Sequence, residues 1–537
     1  MKGIRRHIIY SILPGFFLGN LMYFGAKFLF IFFDDKPLRY STLDLALPLI
    51  FSIIASIIFY FLLDVKLKIQ SDKNFNLKRW QIFLPLTLIS IVFLLAVFPG
   101  HYPYDSSLMY QEFESGNFSN HYAPTATFLL GIFLSVGKIF GSIELGHAAL
   151  IIIQILFINF ALTETIFYCS KKLNKKLFAT LFVAFFVFHP LVQTIIVRSG
   201  QDTFFGGIFL LLSLELLKIS EDKNYFKSKK KIILFSTLIF LLCIFRNNGF
   251  YTLIPLLFSG FFILKDKNIR KRFLLTLIAP IVIFFGYNSI LSNTVIKTHD
   301  SFFRETLNMP IMQIARAMYY NPDESFKNEL KTYFNDNCKT WMNNKFDWRI
   351  YERAAGISDP FKDCLNTNEI EKDPLKFFDL WRRIGGKNPE RFAEAPFVFT
   401  LGLYHPFLKY EPLRSSFQAH RYIDSYYTNY THYGINSSSM IPWFKDALFE
   451  LIGHEKWSDI PVINFFWRIP FTTLLCFFVV ILAFYRKKHE FLLPLLLFFG
   501  LFLTVALSPV MLFRYVFPAV LATPILIYVI LKIWKTT

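Results

Sequence analysis

The sequence predicts an all-α integral membrane protein, and three observations carry that prediction. Apolar residues make up 54% of the 537 residues while charged residues make up 18%, where a soluble domain is about a quarter charged. Mean hydropathy is +0.42. Apolar runs rich in Phe, Ile and Leu recur along the chain at lengths that suit the roughly 20 residues a membrane crossing needs. These numbers exclude collagen, coiled coil and intrinsic disorder. Five cysteines, with no CxxC or Cys/His cluster, exclude a disulfide scaffold and give no zinc signature.

The net charge of +19 has a location. Residues 292–462 hold 21 Lys and Arg against 22 Asp and Glu, so the excess lies in short loops between apolar runs. That is the pattern of cytoplasmic membrane loops. No basic patch with interleaved aromatics argues for a nucleic acid partner.

Taken in order, the N-terminus places Lys2, Arg5 and Arg6 before an apolar run at 8–33. The run is too long for a signal peptide and lacks a small-residue cleavage site. Further runs lie at 43–63, 81–99, 122–141, 145–168, 177–197, 203–218, 231–245, 250–264, 273–291, 463–484, 490–507 and 515–533. If all cross, the basic groups at Lys171–Lys176, Lys227–Lys231, Lys265–Arg272 and Arg486–Lys488 fall outside, against the positive-inside rule. If 122–141 is re-entrant or lies along the outer surface, every basic loop falls inside. The sequence therefore predicts about twelve crossings, one re-entrant or juxtamembrane helix and two cytoplasmic termini.

Three regions follow. Residues 1–291 form an N-terminal transmembrane module whose outer loop, 100–121, is the catalytic candidate. Residues 292–462 form a mostly helical extracytoplasmic domain, and 463–537 hold the last three helices. In the polar domain, Asn321-Pro322, Asp373-Pro374 and Asn388-Pro389 each predict a helix start, and Gly385-Gly386 predicts the end of the helix opening at Pro374. Cys338 and Cys364 lie in this domain and are candidates for a disulfide. Cys169, Cys243 and Cys476 sit in apolar runs and read as core residues.

Polar residues concentrate at the outer helix ends. His101 and Asp105 follow Pro99-Gly100, and a short helix leads on through Gln111. Asp105 reads in two ways, as a helix N-cap and as a carboxylate base beside the membrane surface. Asn120-His121-Tyr122-Ala123-Pro124 opens the non-crossing segment, and His189-Pro190 precedes Arg198-Ser199-Gly200-Gln201-Asp202. Arg246-Asn247-Asn248-Gly249 and Arg514-Tyr515 complete the set. Three outer turns are almost free of Lys yet carry one Arg each: Arg198, Arg246 and Arg514. A lone arginine at a helix end simply reaches the interface. Three together, against the positive-inside tendency, point to a phosphate, which the planar guanidinium fork suits. Arg468 is a fourth candidate. The tyrosine-rich stretch 422–433 suits either a membrane interface or stacking on sugar rings.

In order along the chain, Pro99-Gly100 through Asp105 to Gln111, His121 to Pro124, Arg246-Asn247-Asn248-Gly249, Gly402-Leu403-Tyr404-His405-Pro406 and Arg514-Tyr515-Val516-Phe517-Pro518 resemble pieces of the polytopic glycosyltransferases that use polyprenyl-phosphate sugars (the GT-C fold). Protein mannosyltransferases and lipid A aminoarabinose transferases belong to that superfamily. The nearest resemblance is to an uncharacterised bacterial membrane family within it. The chain departs from the expected uninterrupted His-Pro, since Tyr122-Ala123 stand between His121 and Pro124.

The resemblance implies an enzyme that moves a sugar from a polyprenyl-phosphate donor to a cell-envelope glycan outside the membrane, such as a wall polysaccharide or teichoic acid. It implies Asp105 as the base, with Asp202 orienting it, binding the acceptor or sharing a divalent metal (Mg or Mn) with it. Arg246, Arg514 and Arg198 would hold the phosphate. His121, Gln111, His101, Tyr404 and His405 are acceptor-binding or orienting candidates. The rival classes are a flippase or transporter of lipid-linked sugars and a membrane glycan polymerase or ligase. A transporter favours mid-membrane charges and internal repeats, and neither is read here.

Overall fold

The computed structural model describes residues 2–34, 41–68, 70–72, 75–259, 263–264, 266–299, 301–340, 345–406, 435–453 and 456–535. The tyrosine-rich stretch 422–433 lies outside the described residues. The protein is an all-α, multi-pass membrane protein. Among the described residues six helices are long and apolar enough to cross a bilayer, and three bent pairs raise the number to nine.

In chain order the N-terminal helices are α1 (Lys2–Asp34), α2 (Leu43–Leu63), α3 (Trp80–Ala96), α4 (Tyr104–Ser115), α5 (Pro124–Ile139), α6 (Ile143–Leu173), α7 (Lys176–Val187), α8 (Pro190–Ile196), α9 (Gln201–Glu221), α10 (Lys229–Phe245), α11 (Gly249–Ser259) and α12 (Lys267–Thr294). The polar domain follows, with α13 (Asn308–Tyr320), α14 (Pro374–Lys387), α15 (Pro389–Phe399) and α16 (Leu401–Tyr404) among shorter turns. The chain closes with α17 (Pro461–Trp467), α18 (Ile469–Tyr485), α19 (Leu492–Ala506), α20 (Phe513–Leu521) and α21 (Thr523–Trp534). A two-stranded parallel ribbon pairs β1 (Phe118–Ser119) with β2 (Ile296–Thr298).

The outermost helices keep their apolar side chains on the outside. Leu45 and Phe61 of α2 are 80% and 67% exposed, an arrangement stable in lipid and not in water. Helix α9 sits centrally, with Gly206 and Gly207 set against Phe517 and Phe157.

The bundle has two distinct ends. At one, the Lys172 and Lys532 amines face Glu221 at 3.8 and 3.9 Å, Lys231 pairs with Asp222, and Lys175 pairs with Asp72. Arg486 donates to the carbonyls of Leu63 and Val65, and Arg272 donates to that of Phe226. Both termini lie here, through Arg6 on the Phe484 carbonyl and Leu67 paired with Lys535. The basic loops that the sequence assigns to one side thus gather at one end, here called the lysine end. The opposite, arginine end carries Asp105, Arg198, Asp202, Arg246 and Arg514.

Helix α5 begins and ends at the arginine end. Its N-terminal approach is held by Asn247, and its C-terminal Gly137 packs against Gly146 of α6. That part of α6 is itself at the arginine end, because the His147 ring bonds to the Pro99 carbonyl and Gln154 donates to the Arg198 carbonyl. Residues 122–141 therefore do not traverse the bundle, as the positive-inside argument expected.

The polar domain is built on buried charge. Arg316 of α13 is 1% exposed and donates twice to Glu394 of α15, at 2.7 and 3.0 Å. Arg391 donates to the same carboxylate at 2.9 Å. Cys338 and Cys364 form a disulfide, and Cys169, Cys243 and Cys476 are buried free thiols. The domain is seated on the turn between α19 and α20. Asn308 donates to the Leu507 carbonyl, and the Ser358 amide donates to that of Pro509. It therefore stands over the arginine end.

Some local expectations need correction. Asp373 does cap α14 through the Lys376 amide. Asn321 closes α13 as its C-cap and does not open the next helix, which starts at Glu324 under Asp323. Asn388 stands at the N-cap position, but its amide donates to Ile384 and its oxygen accepts from Asn321. Gly385-Gly386 does not end α14, which runs one residue further to Lys387 and is closed by the Asn388 amide on the Gly385 and Ile384 carbonyls.

Candidate functional site

The site begins with a broken helix. Helices α7 and α8 meet at 72° around His189-Pro190, where proline removes a donor and the chain leaves helical geometry. Breaking a helix inside a membrane frees carbonyls that need partners. Gln154 of α6 supplies them, donating to Ile196 at 2.7 Å and Arg198 at 2.8 Å. Thr203 adds bonds to Ile195 and Arg198. A second network, Asn159 to Ser90 to Gln193 to the Phe186 carbonyl, holds the start of the break. The Arg198 turn is thereby fixed.

The Asp105 loop is fixed against that turn. The His101 amide donates to the Val197 carbonyl at 2.8 Å, and Ser199 returns a bond to His101 at 3.0 Å. The side chains of Ser199 and Ser106 meet at 3.0 Å. Gly100 makes the approach possible: its φ is +111°, and a Cβ there would lie 2.7 Å from Ile151.

Five charged side chains then converge. Asp105 pairs with Arg514 and lies 3.6 Å from Arg198. Asp202 lies 2.8 Å from Arg246, 3.6 Å from Arg514 and 3.7 Å from Arg198. Arg246 lies over the Tyr515 ring at 4.8 Å, and Arg514 is 4.9 Å from the same ring. The side chains of Arg198, Asp202, Arg246 and Arg514 are 4%, 5%, 9% and 14% exposed, while Asp105 is open at 28%. Among the described residues, three guanidinium groups face two carboxylates in a nearly dry site. Guanidinium groups held together in this way are strong, planar donors to an anion.

The N-cap reading of Asp105 is corrected. Pro103 stands at the N-cap of α4, and Asp105 is inside the first turn with its side chain on Arg514. Burial raises the Asp105 carboxyl pKa, but the Arg514 and Arg198 guanidiniums more than reverse this and hold it below its ordinary value. Asp105 is therefore an ionised carboxylate at neutral pH. The same charges disfavour a divalent metal. Both carboxylates already face guanidinium groups, and among the described residues no group of three or more His, Cys, Asp or Glu could hold an ion. The residues do not fit Mg or Mn.

The other sequence candidates divide. His121 is exposed and near enough to Asp105 to feel its charge. His101 is buried and serves through its backbone, and burial, then Arg198, push its imidazole down to about 3, so it stays neutral. Tyr404 packs with Leu401, Val510 and Leu512 against Tyr515, one ring away from the cluster, and its hydroxyl donates to the Phe397 carbonyl. His405 lies by Arg468, and burial pushes it down to about 4. Gln111 is exposed on α4, and no bond among the described residues joins it to the cluster. Arg468 bonds to Asn464 and lies over Trp457. The sequence reading passed over Gln154 and named Asn247 only as part of the Arg246 turn. Lone amides inside or beside apolar runs were the available signal.

A narrow recess lies on the Arg246 side, lined also by Phe205, Asn248, Leu501, Thr504, Val505, Ser508 and Tyr515, a mixed polar and apolar set. The site therefore offers guanidinium donors to an anion beside a recess of mixed polarity.

Fold and site together define a multi-pass α-helical membrane protein with a buried arginine–aspartate centre at one end of its bundle. Residues 114–537 match the family described as "Family of unknown function (DUF6020)", and the chain belongs to that family. No curated protein and no solved structure matches the chain.

Proposed function

We propose that the protein is a membrane glycosyltransferase of the GT-C type, moving a sugar from a polyprenyl-phosphate donor to a cell-envelope glycan on the extracytoplasmic side. The observation that carries this reading is the convergence of Arg198, Arg246 and Arg514 on Asp105 and Asp202 at one end of an apolar bundle. A polyprenyl-phosphate sugar is a phosphodiester with one negative charge and an apolar tail, which suits guanidinium donors beside membrane helices.

The topology that suits this reading has twelve crossings, with the lysine end cytoplasmic. Counting the nine spans and bent pairs together with α3, α10 and α11 gives that number. The disulfide in the polar domain suits an oxidising compartment and so supports placing the arginine end outside.

The chemistry follows from charge conservation. With the donor bound, three guanidiniums face two carboxylates and one phosphodiester. The acceptor hydroxyl attacks the anomeric carbon and gives its proton to Asp105. The bond from that carbon to the phosphate oxygen breaks, and its electron pair stays on the phosphate, now a monoester with two charges. Asp105 is now neutral, so the total charge of the site is unchanged as charge moves onto the leaving group. Arg198, Arg246 and Arg514 stabilise that charge as it grows. Asp202 holds the three guanidiniums in place.

The test uses purified protein with a polyprenyl-phosphate sugar. Asp105→Asn is expected to lose transfer by about 10²–10⁴-fold while still binding donor. Arg246→Lys and Arg514→Lys should each weaken donor binding about tenfold, with strongly non-additive losses in the double variant. Near wild-type turnover in Asp105→Asn, with unchanged donor affinity in all three arginine variants, would remove the reading.

A further inference from the structure

The loop over Asp105 is tied to the cluster by two side-chain amides, each next in sequence to a charged residue. Asn247 follows Arg246 and donates to two successive carbonyls, Asn120 and His121, at 2.9 Å each. Gln201 precedes Asp202, and its carbonyl oxygen accepts from the Ala123 amide at 3.4 Å. The segment so held, 120–123, presents His121 and Tyr122 to Asp105. Both lie close enough to couple electrostatically with that carboxylate. Burial, then the Asp105 charge, push the Tyr122 phenol up, so it remains a neutral hydroxyl. On its far side the loop is stitched to the polar domain's approach by β1–β2 and by the Asn120 amide on the Thr298 carbonyl.

A bond from one amide group to two consecutive carbonyls fixes both the height and the tilt of a loop. Because its backbone neighbour is Arg246, any shift of that guanidinium toward an anion moves the Asn247 anchor. We infer that Asn247 is a positioning residue. It couples the arginine cluster to the 120–123 loop, so that a seated anion tightens the hold on His121 and Tyr122 beside Asp105. This rests on the proposed phosphate reading and adds an order to it: donor first, acceptor second.

The experiment is amide hydrogen exchange on the full-length protein in lipid nanodiscs, with farnesyl phosphate as the probe. In the wild type the probe should slow exchange both at 198–202 and 246–250 and across 118–123. In Asn247→Ala the probe should still bind and protect the arginine turns, while exchange across 118–123 stays about fivefold faster than in the bound wild type. Asn247→Gln, which keeps the donors on a longer arm, should restore part of the loop protection. Loop protection in Asn247→Ala equal to the wild type would overturn the inference, and a structural role alone would raise exchange equally with and without probe. A second arm needs no ligand. Arg246→Ala should loosen 118–123 in the wild-type background and add nothing in the Asn247→Ala background. Failure of farnesyl phosphate to bind would count against the phosphate reading, and additive loosening in the second arm would count against the coupling.

Discussion

At the lysine end, Glu221 has a side chain 8% exposed while its partners Lys172 and Lys532 stand 46% and 40% exposed. Its remaining needs are met by neutral donors, the hydroxyls of Tyr168 and Tyr528. Glu215 repeats the pattern with Tyr225 and Lys218. At the arginine end the burial is inverted. The cations are inside, and one of the two carboxylates, Asp105, is the most open member of the cluster. A buried anion at the lysine end is held by exposed lysines and neutral hydroxyls. At the arginine end, three buried guanidiniums face two carboxylates among the described residues. What separates the ends is therefore which sign is desolvated.

The largest effect expected from this difference is at Asp202, which faces all three arginines. Removing one partner from a buried charge cluster costs about 3–5 kcal/mol. Asp202→Asn should lower thermal stability by an amount of that order, and millimolar phosphate should restore part of it by occupying the vacated charge. Lack of rescue by phosphate would mean that the cluster is structural only.

At the lysine end the matching substitutions should be milder and insensitive to anions. Glu221→Gln keeps an acceptor for one tyrosine and should cost about 1–3 kcal/mol. Lys231→Met breaks an exposed pair with Asp222 and should cost less than about 1 kcal/mol. Melting curves with and without phosphate check both, and rescue of Glu221→Gln by phosphate would erase the distinction between the ends.

A smaller effect tests the sign of the Asp105 pairing. Its folded pKa lies below the ordinary aspartate value. The ion pair therefore contributes stability above the unfolded pKa of about 3.9 and loses it as pH falls through the lowered folded value. The difference in melting temperature between wild type and Asp105→Asn should be constant near neutrality and shrink on acidification below about pH 4. A difference that grows with acid would mean that Asp105 is buried as the neutral acid.

Much of the fold was legible because lipid imposes a simple rule on sequence. Apolar runs and basic loops pointed to the helical bundle and to its lysine end. The same loops set Arg198, Arg246, Arg514, Asp105 and Asp202 at turns away from the lysines. Their convergence was not legible from local pattern, since Arg514 and Asp105 are 409 residues apart and no periodicity links them. Gln154 was missed because its role exists only once α8 breaks and strands the Ile196 and Arg198 carbonyls. Proline and glycine signals misled in the polar domain. There α14 ran through Gly385-Gly386 to its cap at Asn388, the Asn321 amide bonded to the Asn388 oxygen, and the Asn388 amide bonded to the Ile384 carbonyl. Gln111, Tyr404 and His405 shared a motif with the site and not its space.

The central claim is that Asp105 and a bound phosphate share the same arginines, so that their like charges repel. Asp105→Asn mimics the carboxylate after it has taken the acceptor's proton, and it removes one negative charge from the cluster. Farnesyl phosphate resembles the leaving group, with nearly two negative charges at pH 7. The direct measurement is its affinity for wild type and for Asp105→Asn in nanodiscs at low salt. The account predicts binding about tenfold tighter or more in the variant, since one like charge at contact distance has been removed. Unchanged or weaker binding in Asp105→Asn would contradict it, because the carboxylate and the phosphate would then not share the arginines.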